Sequence, residues 1–127
     1  MVDFLSDLAS VVLAKGMDAS GMKHRAIADN IANIETPGYK RKDISFAEQL
    51  QDALSTPNSN AAMKRVEETD PGYTVDTTSP GNASGNNVRI DSEMADLTKN
   101  TLQYEALIRL NNMKGSMLIT AITEGRR

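Results

Sequence analysis

The sequence has 127 residues, a net charge of −3 and 39 % hydrophobic residues. It contains no cysteine, which excludes disulfides, thiolate metal sites and a cysteine nucleophile, and it contains a single histidine, His24. Residues 1–42 hold six Lys and Arg against five Asp and Glu, and the acidic surplus falls in residues 43–90. No basic stripe marks a nucleic-acid interface, so we expect one domain that binds no nucleic acid.

Apolar residues at helical spacing predict a long helix over residues 1–35. A short apolar run at residues 8–14 is similar to the core of a secretion signal. However, Asp3 and Asp7 precede it where positive charge is required, so we expect no cleaved signal. Nor is any apolar run long enough to span a membrane. The helix carries two apolar rows, the first formed by Leu5, Leu8, Val12, Ala19, Met22 and Ala26, the second by Leu13, Met17, Ile27, Ile31 and Ile34.

The residues that follow predict a sharp chain reversal. Thr36-Pro37-Gly38-Tyr39 has the chemistry of a type II turn, with proline at the second position and glycine at the third. A residue before proline avoids the α region, so the helix should end near residue 34 or 35. Asn30 and Asn33 then lie in its last turn. Their amides either bind free carbonyls or face water, and our hypothesis is that they bond across subunits.

The middle of the chain predicts less regular structure. Residues 44–54 favour a short amphipathic helix with Phe46, Leu50 and Leu54 on one side. Residues 55–87 are rich in proline, glycine and asparagine, which is typical of a loop or a disordered segment. Within them, Val66 and residues 73–75 could pair as a small hairpin.

The last third carries the most regular pattern, a seam that alternates spacings of four and three and predicts a second long helix within residues 88–127. Asp91 or Ser92 is the predicted N-cap and Gly125 the predicted end. The predicted fold is therefore all-α: two terminal helices in an antiparallel coiled coil, joined by a connector over residues 36–87. The seam residues are Ile90, Met94, Leu97, Thr101, Tyr104, Ile108, Asn111, Gly115, Leu118 and Ile122, and beside them lies a second row of Leu107, Leu110, Met113, Met117 and Ala121.

No motif predicts catalysis, a metal or a cofactor. The spacing of Gly16, Gly21 and Lys23 is similar to a phosphate-binding loop, but Met22 separates the second glycine from the lysine and no strand precedes them. His24 has no recognisable nucleophile or orienting carboxylate beside it. We therefore expect a protein that is not an enzyme and has no small-molecule substrate.

The stretch ADNIANIETPGYKRKDISFAEQL, residues 28–50, resembles the N-terminal signature of bacterial flagellar rod and hook proteins. The continuation through residues 43–46 and the stretch over residues 86–114 point to the proximal rod. The residues that match the family motif are Asn30, Ala32, Asn33, Thr36, Pro37, Gly38 and Tyr39.

This resemblance implies a structural subunit whose terminal helices stack into a tube that transmits motor torque. It also implies export through the flagellar type III apparatus without a cleaved signal, and a place in the rod in the periplasmic space. The implied partners are copies of the same chain, other rod proteins, the rod-base adaptor, and the membrane ring or export gate. The alternative is a soluble coiled-coil interaction module, a regulator or export chaperone, which would not leave the cell by the flagellar pathway.

Because each terminal helix has two apolar faces, we expect residues of both helices to pack between subunits. The predicted packing residues are Leu5, Leu8, Val12, Met22, Ile27, Ile31, Met94, Leu97, Tyr104, Ile108, Leu118 and Ile122.

Overall fold

The computed structural model describes residues 2–125, with side chains described for residues 7–58 and 60–125. Four helices and one small sheet make up this part of the chain, which confirms the predicted, mostly helical fold. In chain order the elements are α1 (Val2–Ala32), β1 (Lys42–Ile44), α2 (Ala47–Leu54), α3 (Ser59–Glu68), β2 (Tyr73–Val75) and α4 (Ile90–Glu124).

The two terminal helices form the predicted antiparallel pair. α1 has 31 residues and α4 has 35. Ser20 of α1 lies against Asn100 of α4, and further along the pair the Lys114 ammonium donates to the Ser10 hydroxyl. Between these points the helices approach closely at Gly16, where an added Cβ would lie 3.3 Å from Leu107 Cδ1. A larger residue at Gly16 would therefore press on the partner helix.

The ends of the long helices differ in detail from the predicted ends. α1 ends at Ala32, slightly before residues 34–35, because the chain already turns over residues 33–38. The predicted N-cap of α4 is wrong: Arg89 is the N-cap, without a side-chain bond, and Asp91 lies inside the first turn. Gly125 ends α4 as predicted, and its N–H donates to the carbonyl of Ala121.

The connector is more ordered than the sequence predicts. The predicted helix over residues 44–54 is present as α2, and residues 59–68, which we expected to be loop or disorder, form α3. Asn58 explains the start of α3, because its side chain accepts from the N–H groups of Asn60 and Ala61. The predicted hairpin is wrong in its partner, because Val66 is fully buried within α3. Strand β2 instead pairs antiparallel with β1, with Ile44 opposite Tyr73.

Among the described side chains, the apolar core is mostly alanine and valine, and Ile27 and Val66 are its largest fully buried members. α1 contacts β1, α3 and α4, so this one helix packs against the sheet and against two other helices. No helix within residues 2–125 is long and apolar enough to cross a membrane.

Candidate functional site

The end of α1, strand β1, the loop before α4 and the first turn of α4 meet in a buried polar cluster. We call it the polar clasp and define it by five side chains: Asn30, Arg41, Asn86, Asn87 and Glu93. Asn30 and Glu93 have no exposed surface, and Asn86 and Asn87 are 2 % and 5 % exposed. Burying so many polar groups costs free energy unless each one is hydrogen-bonded.

Asn30 uses its entire hydrogen-bonding capacity inside the chain. Its Nδ2 group donates to the carbonyl of Lys42 at 2.8 Å and to Glu93 Oε2 at 3.1 Å. Its Oδ1 accepts from the Lys42 N–H at 2.9 Å and from the Tyr39 hydroxyl at 3.2 Å. The Asn30 amide therefore bonds the backbone N–H and carbonyl of Lys42 as a neighbouring strand would, and it joins β1 to both long helices.

Asn33, three residues later, acts locally. Its Nδ2 donates to the carbonyl of Asp29 at 2.8 Å, and its Oδ1 accepts from the Thr36 hydroxyl at 3.1 Å. The hypothesis that the two asparagines bond across subunits is thus wrong for Asn30, which has no free donor or acceptor. For Asn33 the observed bonds complete the end of its own helix.

The turn at residues 36–39 has the predicted form. The Tyr39 N–H donates to the carbonyl of Thr36 at 3.3 Å, and Gly38 has a φ of 72°, which favours glycine at the third position of a type II turn. The Gly38 N–H also donates to the carbonyl of Ser84 at 2.8 Å. Burial raises the pKa of the Tyr39 hydroxyl above its usual value, and the charges of Asp29 and Glu93 raise it further.

Arg41 supplies the positive charge of the clasp. Its Nε donates to Glu93 Oε1 at 2.5 Å, and its two terminal nitrogens pair with Asp96 at 2.8 Å and Asp43 at 3.2 Å. Burial alone would lower the pKa of the guanidinium, but its bonds to Glu93 and Asp43 raise it overall. Because Glu93 has no exposed surface, losing Arg41 would leave a carboxylate buried without its counter-charge.

Asn86 binds the turn that follows α1 from a distant part of the chain. Its Nδ2 lies 2.8 Å from the carbonyl oxygen of Asn33, 3.0 Å from that of Ile34 and 2.9 Å from that of Thr36. Its Oδ1 accepts from the N–H of Val88 at 2.8 Å. The loop before α4 is thereby joined to the turn after α1.

Asn87 ties the same loop to β1. Its Oδ1 accepts from the Arg41 N–H at 2.6 Å, and its Nδ2 donates to the carbonyl of Asp76 at 2.8 Å. The sequence analysis treated both asparagines as part of an irregular loop. The available signal was their position, a pair of amides directly before the start of a long helix.

A second polar contact lies inside the coiled coil. The Ser20 hydroxyl donates to Asn100 Oδ1 at 2.9 Å, and Asn100 Nδ2 donates to the carbonyl of Ser20 at 2.9 Å. Ser20 and Asn100 are 8 % and 3 % exposed. A buried asparagine in a coiled coil penalises other registers, so this pair fixes how α1 and α4 align.

The predicted packing residues whose side chains are described differ in burial. Ile27 is 2 % exposed, so it packs inside the chain and is not free to contact a neighbour, contrary to the prediction. The Leu5 side chain lies outside the described side chains. Six residues are half-buried along the two long helices: Leu8, Val12, Met22, Ile31, Leu97 and Ile108. Four residues of α4 are exposed: Met94 at 49 %, Tyr104 at 41 %, Leu118 at 50 % and Ile122 at 62 %.

An apolar row on α4 that shares four residues with the predicted second row is exposed from residue 102 to residue 121, and we call it the lateral stripe. Its residues follow spacings of four, four, three, four and four, so they share one side of the helix. They are Leu102, Ala106, Leu110, Met113, Met117 and Ala121. Together with Leu118, Ile119 and Ile122, the stripe leaves the C-terminal half of α4 apolar on several sides.

The described surface also holds an open groove and an exposed histidine. A groove of about 510 Å³ opens between α1, α2 and α4 and is lined mainly by small and apolar side chains, with Lys23 and Lys99 among them. His24 lies on the exposed side of α1. Within the part of the chain that the structure describes, no three acidic or histidine side chains are grouped so that they could hold a metal ion.

Comparison with known proteins defines the class first. The family model described as flagella basal body rod protein matches residues 16–40, which span the second half of α1 and the turn. The chain thus shares this segment with flagella basal body rod proteins.

The curated relatives then define the particular family. The chain is 34 % identical over 121 residues to the flagellar basal body rod protein FlgB of Bacillus subtilis, covering 90 % of this chain and 92 % of that protein. It is 33 % identical to FlgB of Borreliella burgdorferi, covering 72 % and 78 %, and 29 % identical to FlgB of Aeromonas hydrophila, covering 76 % and 78 %. The chain belongs to the FlgB family of flagellar basal body rod proteins, whose members are structural subunits of the rod.

Proposed function

We propose that the chain polymerises through α1 and α4 into the wall of the proximal rod and transmits motor torque there, without enzymatic activity. The observation that carries this proposal is the exposed apolar surface on the C-terminal half of α4. Its members are Leu110 at 51 %, Met113 at 59 %, Met117 at 67 %, Leu118 at 50 %, Ile119 at 65 % and Ile122 at 62 % exposed.

A helix that is apolar on most sides is normally surrounded by other elements. Here α1 covers one side of α4, and the exposed rows flank that side. Soluble monomers rarely expose contiguous apolar surface on this scale. The supporting physical argument is that neighbouring subunits bury these rows, which lowers their free energy by about 25 cal/mol for each Å² of apolar surface removed from water.

The distribution of polar groups also supports assembly through the apolar rows of α4. The clasp bonds its amides and charges within one chain, and no buried polar side-chain atom among the described residues lacks a partner. Polar groups therefore define the subunit, and the apolar rows of the coil remain for its neighbours. Contacts between different surfaces of identical chains produce helical polymers, as a rod requires.

We further infer one structural domain with segments 1–35, 36–87 and 88–127, because α1 contacts elements from both later segments. In this proposal the neighbours are copies of the chain, other rod proteins, the rod-base adaptor and the membrane ring or export gate. The chain reaches the periplasmic rod by flagellar export with its N-terminus intact. Mass spectrometry of the chain from purified basal bodies tests the export step, and a shortened N-terminus would contradict it.

Charged substitutions test the assembly surface. Leu110→Asp combined with Ile119→Asp should abolish motility and remove the chain from purified basal bodies, because both carboxylates would be buried between subunits. Ser116→Asp, an exposed polar position on the same helix, should assemble normally and is the matched control. Normal rods built from the double variant would contradict the proposal. A native chain that stays in the cytoplasm bound to one partner would instead favour the alternative, a soluble coiled-coil module.

A further inference from the structure

The groove between α1, α2 and α4 combines an apolar lining with two positive charges. Its volume is about 510 Å³, and Phe46 and Leu50 belong to its apolar lining. The charged residues that line it are Lys23 and Lys99, and no acidic residue of the described chain joins them there. The Lys23 ammonium lies 3.7 Å from a carboxylate oxygen of Asp43. Lys99 is exposed and pairs with no carboxylate among the described residues.

A groove of this kind favours a segment that is both acidic and apolar, because opposite charges attract and apolar surfaces are removed from water together. Three stretches of the sequence hold at least two acidic and three large apolar residues within eight positions and no Lys or Arg: residues 1–8, 43–50 and 90–97. Residues 43–50 line the groove themselves. In residues 90–97, Glu93 and Asp96 are bonded to Arg41 of the clasp. Residues 1–8 are the stretch that remains.

Residues 1–8 cannot occupy the groove of their own chain, because both belong to one helix. α1 is continuous from Val2 to Ala32, and the groove begins at Gly16. Phe4 and Gly16 are separated by about 18 Å along the helix axis, at 1.5 Å for each residue. The segment that fills the groove must therefore come from a second copy.

We propose that residues 1–8 of one copy dock in the groove of a neighbouring copy, with Asp3 and Asp7 paired to Lys23 and Lys99 and with Phe4 against the apolar lining. Asp3 and Asp7 are four residues apart, a spacing that places two positions on one side of a helix. The inference rests on the proposed function, because it requires copies of the chain to assemble, and it names the surface that receives one end of α1.

The charge of the groove also selects which end of the coil it accepts. Because α1 and α4 are antiparallel, the C-terminal end of α4 lies beside the start of α1. In the sequence α4 is followed by Arg126 and Arg127, which the groove lysines would repel. The acidic start of α1 is thus the end of the coil that suits the groove.

Charge reversal tests the pairing in the purified full chain, with self-association measured by sedimentation velocity over a concentration series. Lys23→Glu combined with Lys99→Glu should raise the concentration needed for association at least about fivefold. Asp3→Lys combined with Asp7→Lys should have the same effect. All four substitutions in one chain should restore association, which also shows that the changed residues leave the fold intact. Lys64→Glu is the matched control, because Lys64 is an exposed lysine outside the groove.

A disulfide cross-link tests where the segment lies. The chain has no cysteine, so engineered cysteines meet no competing thiol. A Ser6→Cys chain mixed with a Gln103→Cys chain should form a disulfide-linked dimer, because Gln103 lines the groove. The control partner is Ala83→Cys, an exposed position in the loop before α4, which should form far less of the dimer.

Unchanged association in both reversed pairs, no recovery in the fourfold variant, or equal cross-linking at Gln103 and Ala83 would overturn the inference alone. Weakening by the lysine reversal without weakening by the aspartate reversal would assign the groove to a different acidic partner, and would also overturn it. Failure of the wild-type chain to associate at any concentration would instead contradict the proposed function and the inference with it.

Discussion

Replacing Asn30 by alanine should destabilise the fold far more than replacing Asn33, although the two asparagines belong to the same short motif. Asn30→Ala leaves the Lys42 N–H, the Lys42 carbonyl and Glu93 Oε2 without their observed partner. Each buried group that loses its partner costs about 1–3 kcal/mol. Lys42 is only half-buried, so water can reach part of the site, and we expect a loss of about 3–4 kcal/mol in the free energy of unfolding.

The matched substitution Asn33→Ala removes one bond to the Asp29 carbonyl and one from the Thr36 hydroxyl, both at the surface. It should cost no more than about 1 kcal/mol, the value typical of a helix-end hydrogen bond. Urea unfolding followed by circular dichroism measures both variants, and hydrogen exchange at the Lys42 amide reports the clasp directly. Equal stability of the two variants, or a change below about 0.5 kcal/mol for Asn30→Ala, would refute this reasoning.

Three further predictions follow from other parts of the fold. Pro37→Ala combined with Gly38→Val should disrupt the turn and abolish swimming in a strain without the native copy, because valine disfavours the φ of 72° at Gly38; normal swimming would contradict this. Asn100→Leu should remove the polar contact with Ser20 and let α1 and α4 associate in other registers; cysteine cross-links across the coil should then form at more than one spacing, and a single spacing would argue against this role. The hydroxyl and N–H of Ser79 hold the pKa of Asp76 well below its ordinary value. The bonds to ionised Asp76 should therefore stabilise the fold above about pH 4, and this stabilisation should be lost as the pH falls further. Asp76→Asn should remove this pH dependence, and identical acid unfolding curves of the two proteins would count against the prediction.

The elements with repeating patterns were predictable from the sequence. Apolar spacing in α1 and α4 indicated both long helices, and Pro37 with Gly38 located the turn. α3 was missed because its buried apolar side is narrow, with Ala62 and Val66 as its two buried apolar residues. In such a segment the N-cap Asn58 is a weaker signal than an apolar row.

The clasp was not predictable in the same way, because its contacts join residues far apart in sequence. Arg41 and Glu93 are separated by 52 residues, and Asn86 and Asn33 by 53. No local period indicates which charge or amide meets which carbonyl. Asn30 could be placed near a helix end from sequence, but its partners could be identified only from the fold.

The contacts of the clasp also give the motif at residues 30–39 a structural role within one chain. It ends α1, turns the chain and satisfies β1, and so holds both long helices at one end. The exposed rows of α4 are then presented in a fixed alignment. Rigidity of the subunit and contact between subunits depend on different residues.

The most direct measurement of the central claim is a density map of intact basal bodies in which this chain is traced within the rod. We expect α1 and α4 to lie side by side in the rod wall, with Leu110, Met117 and Ile119 covered by neighbouring subunits. We also expect an unchanged clasp, with Asn30 bonded only within its own chain. Rod density in which the C-terminal half of α4 faces open solvent, or in which α1 and α4 of one chain are apart, would contradict it.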